Sequence, residues 1–111
     1  MQAVQEWVLH LVDLVPELKP LFDAQYAADH TVDAELFIGA AARWARKRGA
    51  SPSVTRLLAQ LDSDYASRGP KVREVIESAF LEQLAGDALA HEFGHNLRRA
   101  LRPHDLGRGE R

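Results

Sequence analysis

The chain has 111 residues, the size of one domain, and 46% of them are hydrophobic, enough to fill a core without covalent staples. It contains no cysteine, which excludes a disulfide framework and any thiolate zinc site. With 14 basic and 16 acidic side chains the formal charge is −2, a balance that argues against a dedicated nucleic-acid binder.

The first helix is expected over about residues 3–14, where Val4, Trp7, Val8, Leu11, Val12 and Val15 repeat at helical spacing. The opening Met1-Gln2-Ala3-Val4-Gln5-Glu6-Trp7 lacks the basic and apolar regions of a signal peptide. No apolar run approaches the ~18 residues of a membrane span, so a cytoplasmic protein with no membrane contact is expected. Pro16 starts a second helix with Leu18, Leu21, Phe22 and Tyr26 on its stripe, and Pro20 is tolerable only in its first turn. Asp29-His30-Thr31 is a polar break. Thr31 or Asp33 can cap a third helix through Leu36, Phe37, Ala40, Ala41 and Trp44, which ends in the basic Arg43-Trp44-Ala45-Arg46-Lys47-Arg48 and is closed by Gly49.

Ser51-Pro52 is an N-cap followed by a first-turn proline and opens a fourth helix with Val54, Leu57, Leu58, Leu61 and Tyr65. Gly69-Pro70 begins a fifth, with Val72, Val75, Ile76, Ala79, Phe80 and Leu84, stopped by Gly86. Leu81 falls on its opposite side, so this helix is expected to be covered on two sides and to form the centre of the bundle. Asp87 caps a sixth helix with Leu89, Phe93, Leu97, Ala100 and Leu101, ending before Pro103. No strand pattern or internal repeat interrupts this series. The expected fold is all-α, a compact bundle of about five to six short antiparallel helices in a single domain over residues 1–106, with a frayed tail at 107–111. Trp7, Trp44, Tyr26 and Tyr65 sit on apolar stripes and are expected in the core.

Within the sixth segment, His91-Glu92-Phe93-Gly94-His95-Asn96-Leu97 resembles the zinc-binding helix of metallopeptidases, the metzincins in particular. That chemistry needs two histidines four apart on one helical face to share a metal, with the glutamate between them activating a bound water. The resemblance implies His91, His95 and perhaps a displaced His104 as zinc ligands and Glu92 as the catalytic base. The departures are immediate: Arg98 stands where the family has a glycine, Leu101 stands where it has its third histidine, and His104 comes three residues late. At 100° per residue His91 and His95 fall opposite the apolar stripe, beside Arg98 and Arg102, and no neighbouring carboxylate is in place to orient them. Zincins also place this helix beneath a β-sheet, for which there is no strand upstream. The segment is therefore expected to be a solvated basic face with no cofactor, zinc hydrolysis being the alternative. Arg99 and His104 also match the R-x4-H pattern of the HEPN-type ribonucleases, but Pro103 would break the helix meant to align them.

The stretch Val72-Arg73-Glu74-Val75-Ile76-Glu77-Ser78-Ala79-Phe80-Leu81-Glu82-Gln83-Leu84 resembles a phrase from small all-α bacterial proteins of uncharacterised type, which are similar to the immunity proteins paired with polymorphic toxins. Val12-Asp13-Leu14-Val15-Pro16-Glu17-Leu18 looks like the opening of the same group. In that alignment the HEFGH segment falls on an ordinary final helix. The resemblance implies a non-enzymatic protein that binds a cognate toxin or effector, with a generic helical adaptor as a further alternative. Binding of this kind needs a stable scaffold and a complementary charged surface. The candidate contact residues are Asp29, Asp33 and Glu35 near the second loop, with Glu74, Glu77, Ser78 and Glu82 on the fifth helix.

Overall fold

The structure, a computed structural model, describes residues 2–29, 32–84 and 87–100. The chain enters as α1 (Gln2–Leu14), passes through a short 3-10 turn (Pro16–Leu18) into α2 (Lys19–Asp29), and continues as α3 (Ala34–Arg48) and α4 (Pro52–Ser67). A single helical rod follows, made of α5 (Pro70–Val75), a π-helical stretch (Ile76–Leu81) and α6 (Glu82–Leu84). There is no strand among the described residues. The all-α bundle expected from periodicity is the fold observed, and its radius of gyration of 13.5 Å is that of a compact domain. No described helix is long and apolar enough to cross a membrane.

The helix boundaries follow local chemistry. Asp33 caps α3 by accepting from the Leu36 amide at 3.1 Å, and Ser51 caps α4 by accepting from the Val54 amide at 3.3 Å. Gly49 closes α3 at φ 77°, a backbone angle that strains any L side chain, and its amide donates back to the Ala45 carbonyl. Pro20 lies in the first turn of α2, the only part of a helix that tolerates it.

The core is one contiguous cluster around the fully buried Trp7, Phe37 and Phe80. The rod of residues 70–84 lies at its centre, packed along α3, and its π stretch explains how it is covered on two sides. A π turn bonds i to i+5 and so holds one residue more than an α turn. Ile76, Phe80, Leu81 and Leu84 are all fully buried, a combination wider than one α-helical stripe. Leu81, off the stripe in a regular helix, is thereby drawn into the core.

Two stripe assignments need correction. Leu36 is 63% exposed; α3 buries the expected Phe37 and Ala41 together with Ile38, Ala42 and Ala45, and the small alanines let the rod approach closely. Tyr26 is 51% exposed and lies outside the core, stacked on Phe22 with ring centroids 6.4 Å apart. Trp44 and Tyr65 are half-buried at its margin.

The largest correction concerns the sixth helix. Asp87 does act as a cap, accepting from the Leu89 amide at 3.0 Å, but what it starts is a 3-10 helix (Ala88–Glu92). Phe93 then turns extended, with φ −65° and ψ 144°, and a separate α-helix begins after Gly94 over residues 95–100. Leu89, Phe93 and Leu97 are buried as their periodicity implies, so the hydrophobic pattern survives although the continuous helix does not.

Candidate functional site

The HEFGH segment straddles this break. His91 and Glu92 belong to the 3-10 helix, while His95 is the first residue of the α-helix beyond Gly94. The premise that residues four apart share one helical face requires a single continuous helix, and here there is none. Both histidines are exposed, as is Glu92. Among the described residues no three His, Asp or Glu side chains are gathered as a metal site would need, and His104 lies outside the described residues.

A carboxylate does come close, one that the neighbouring sequence did not disclose: Asp62, in the middle of α4. Its Oδ1 accepts from the Leu97 amide at 2.8 Å, while the Asn96 side-chain amide donates to the Asp62 carbonyl at 3.1 Å. Gly94 occupies the N-cap position of helix 95–100, its carbonyl accepting from the Arg98 amide at 3.0 Å. Asp62 thus performs across a tertiary contact the capping that a local Ser or Asp would ordinarily perform. A Cβ on residue 94 would stand 2.5 Å from the Asp62 Cγ, so this glycine is explained by the approaching carboxylate. Arg98 completes the arrangement: its guanidinium donates to the carbonyls of His91 and Phe93, each at 3.1 Å, and ties the two helical pieces together. The motif's glycine, asparagine and leucine, together with the arginine that follows them, all have structural duties at the break.

The candidate contact residues divide between two places. Asp33 and Glu35 at the start of α3, and Glu74 on α5, line one groove of about 280 Å³ with Gln5 and Lys71, floored by Val4, Ala34 and Val75. Ser78 donates to Glu35 at 3.3 Å and joins the same face. The groove is set by α1, whose Gln5 side chain donates to the Val32 carbonyl at 2.8 Å just before α3 begins. Two acidic segments about 40 positions apart in the chain are therefore neighbours in space. Glu82 is exposed on α6 but does not line this groove, and the Asp29 side chain lies outside the described residues.

Glu77 faces elsewhere. It is half-buried and accepts a short hydrogen bond from the Tyr65 hydroxyl of α4. Burial, and next the Glu77 carboxylate, push the Tyr65 phenol up to about 12. These two residues line an open cleft of about 440 Å³ with Ala66, Arg73, Asn96, Arg99 and Ala100. Neither Tyr65 nor Asn96 stood out as a site residue in the sequence, because the cleft joins α4, the central rod and the segment beyond the helix break. A third groove, lined by Arg43, Arg46, Lys47 and Asp87, lies at the basic end of α3, where Arg46 pairs with Asp87 at 3.3 Å.

No protein-family model matches the chain, and neither a curated protein nor a solved structure matches it.

Proposed function

We propose that this chain is a non-enzymatic binding protein, an immunity protein that neutralises a cognate bacterial toxin or effector in the cytoplasm by direct contact. The observation that supports this reading most is the convergence of Asp33, Glu35 and Glu74 on one groove with an apolar floor. Acidic walls around Val4, Ala34 and Val75 suit a basic side chain carried on a partly apolar surface, and complementary charge speeds the encounter. The resemblance of residues 72–84 to small all-α immunity-like proteins points the same way. Zinc hydrolysis is the less favoured reading, since His91 lies in the 3-10 helix and His95 in the helix after Gly94.

This reading predicts a toxin-like gene beside the one for this chain, and the test is co-expression with that gene's product. A stable complex and protection of growth are expected, and Glu35→Lys with Glu74→Lys should abolish both, while Glu82→Lys should leave them intact. Absence of a complex with the neighbouring gene product would remove the immunity reading. A complex indifferent to the double charge reversal would move its interface away from this groove.

A further inference from the structure

The cleft between α4, α5 and helix 95–100 differs from the acidic groove in both residues and charge. Two guanidinium groups, from Arg73 and Arg99, line it against one carboxylate, Glu77. Glu77 is already engaged by the Tyr65 hydroxyl. Arg73 is fixed in place: its guanidinium carbon lies 5.2 Å from the centroid of the Tyr65 ring, and its Nε donates to the Tyr65 carbonyl at 3.3 Å. That single bond leaves the two terminal nitrogens of Arg73 available. Arg99 has no hydrogen-bond or ion-pair partner among the described residues. Asn96 spends its amide hydrogens on Asp62, which leaves its side-chain carbonyl as an acceptor at the cleft.

A site with one pre-oriented guanidinium and a second that has no partner among the described residues suits an oxyanion, since the planar donor fork of arginine matches phosphate oxygens two at a time. Glu77 and the Asn96 carbonyl are acceptors, complementary to hydroxyl or amino groups on the body of the same ligand. The space, about 440 Å³, is large for a bare ion and is on the scale of a small-molecule pocket. We propose that this cleft binds a small phosphomonoester bearing hydroxyl or amino groups, with Arg73 and Arg99 holding the phosphate. The site is independent of the acidic groove and does not rest on the immunity reading.

The experiment uses the whole chain, followed by amide chemical shifts at low ionic strength, with glycerol phosphate, inorganic phosphate and acetate as probes. Glycerol phosphate is expected to shift the amides of Tyr65, Arg73, Asn96 and Arg99 saturably, and more tightly than inorganic phosphate or acetate. Arg73→Gln and Arg99→Gln should each weaken it about tenfold or more, whereas Arg43→Gln in the separate basic groove should have no effect. Unperturbed spectra of the ligand-free variants away from the substitution confirm the fold. Equal responses to all three probes would mean an adventitious ion only. Shifts centred on Arg43 and Lys47, or binding that survives Arg99→Gln in a folded protein, would also overturn the proposal.

Discussion

At the junction of α1 and α4 every element is a regular helix, and a buried carboxylate joins surfaces that hydrophobic periodicity has already matched. Across residues 87–100 the helix itself is broken, and a second carboxylate supplies what the backbone there lacks. The two acids, Asp64 and Asp62, leave the same helix two positions apart. Asp64 is 3% exposed and accepts from the Trp7 indole at 2.8 Å, from Gln60 at 2.9 Å and from Arg68 at 3.3 Å. Asp62 is only half-buried and accepts mainly backbone and amide donors at the start of another helix. The first acid locks side chains between finished elements. The second lets an element exist where it does.

The difference predicts unequal costs. Asp64→Ala strips the partner from a fully buried indole N–H and leaves Arg68 without its carboxylate. A loss of about 3 kcal/mol is expected, the range for breaking a buried charge-assisted network. Urea unfolding followed by tryptophan fluorescence reads it directly, and Asp64→Asn, which keeps an acceptor oxygen for the indole N–H, should cost less. If Asp64→Ala cost no more than a surface change, the junction would be held by apolar packing alone.

Asp62→Ala should cost about 1–2 kcal/mol, the worth of a helix cap. The sharper experiment pairs it with Gly94→Ala, whose new methyl would collide with the carboxylate it replaces space for. Each substitution destabilises alone, yet together they should cost clearly less than their sum, since the three atoms nearest the new methyl all belong to the carboxylate that Asp62→Ala removes. Simple additivity would show that Gly94 is needed for its backbone rather than for the approach of Asp62. Circular dichroism should show a small drop in total helicity, the size expected of one short helix, with cooperative unfolding retained.

The same contrast sets what could be read from the residues in order. Caps and stripes at Asp33, Ser51, Gly49 and along α1 and α4 are local, and each is visible within one helical turn of sequence. The break at Phe93-Gly94 is not local: a helical pattern with Leu89, Phe93 and Leu97 is satisfied equally well by one helix or by two pieces that keep the same residues buried. What decides between them is a carboxylate more than 30 positions earlier. Leu36 misled for a related reason, because periodicity gives a stripe but not its edge, and the alanines of α3 fixed where the rod lies. The acidic groove was half legible. Charge marks its residues in two separate segments, and only the packing of α5 beside the start of α3 brings them together, while Glu77 lines a different cleft.

A third acid extends the comparison to the exposed edge of α4. Glu17, in the 3-10 turn before α2, accepts from the hydroxyl of the buried Ser53 at 2.5 Å. That hydrogen bond, followed by the backbone bond of Glu17 itself, holds its carboxyl below the ordinary value of 4.5, against a smaller opposing effect of burial. A carboxyl whose folded value is lowered adds stability above its unfolded value and loses that contribution as pH falls through the folded one. Glu17→Gln should therefore lower stability near neutral pH, with the gap to the parent chain closing below about pH 4. Because the carboxylate is open to water, this should be the smallest of the three effects and the most sensitive to salt. Denaturant midpoints measured across the acid range for both chains would show it, and a gap that stayed constant with pH would assign the effect to the shape of the side chain rather than to its charge.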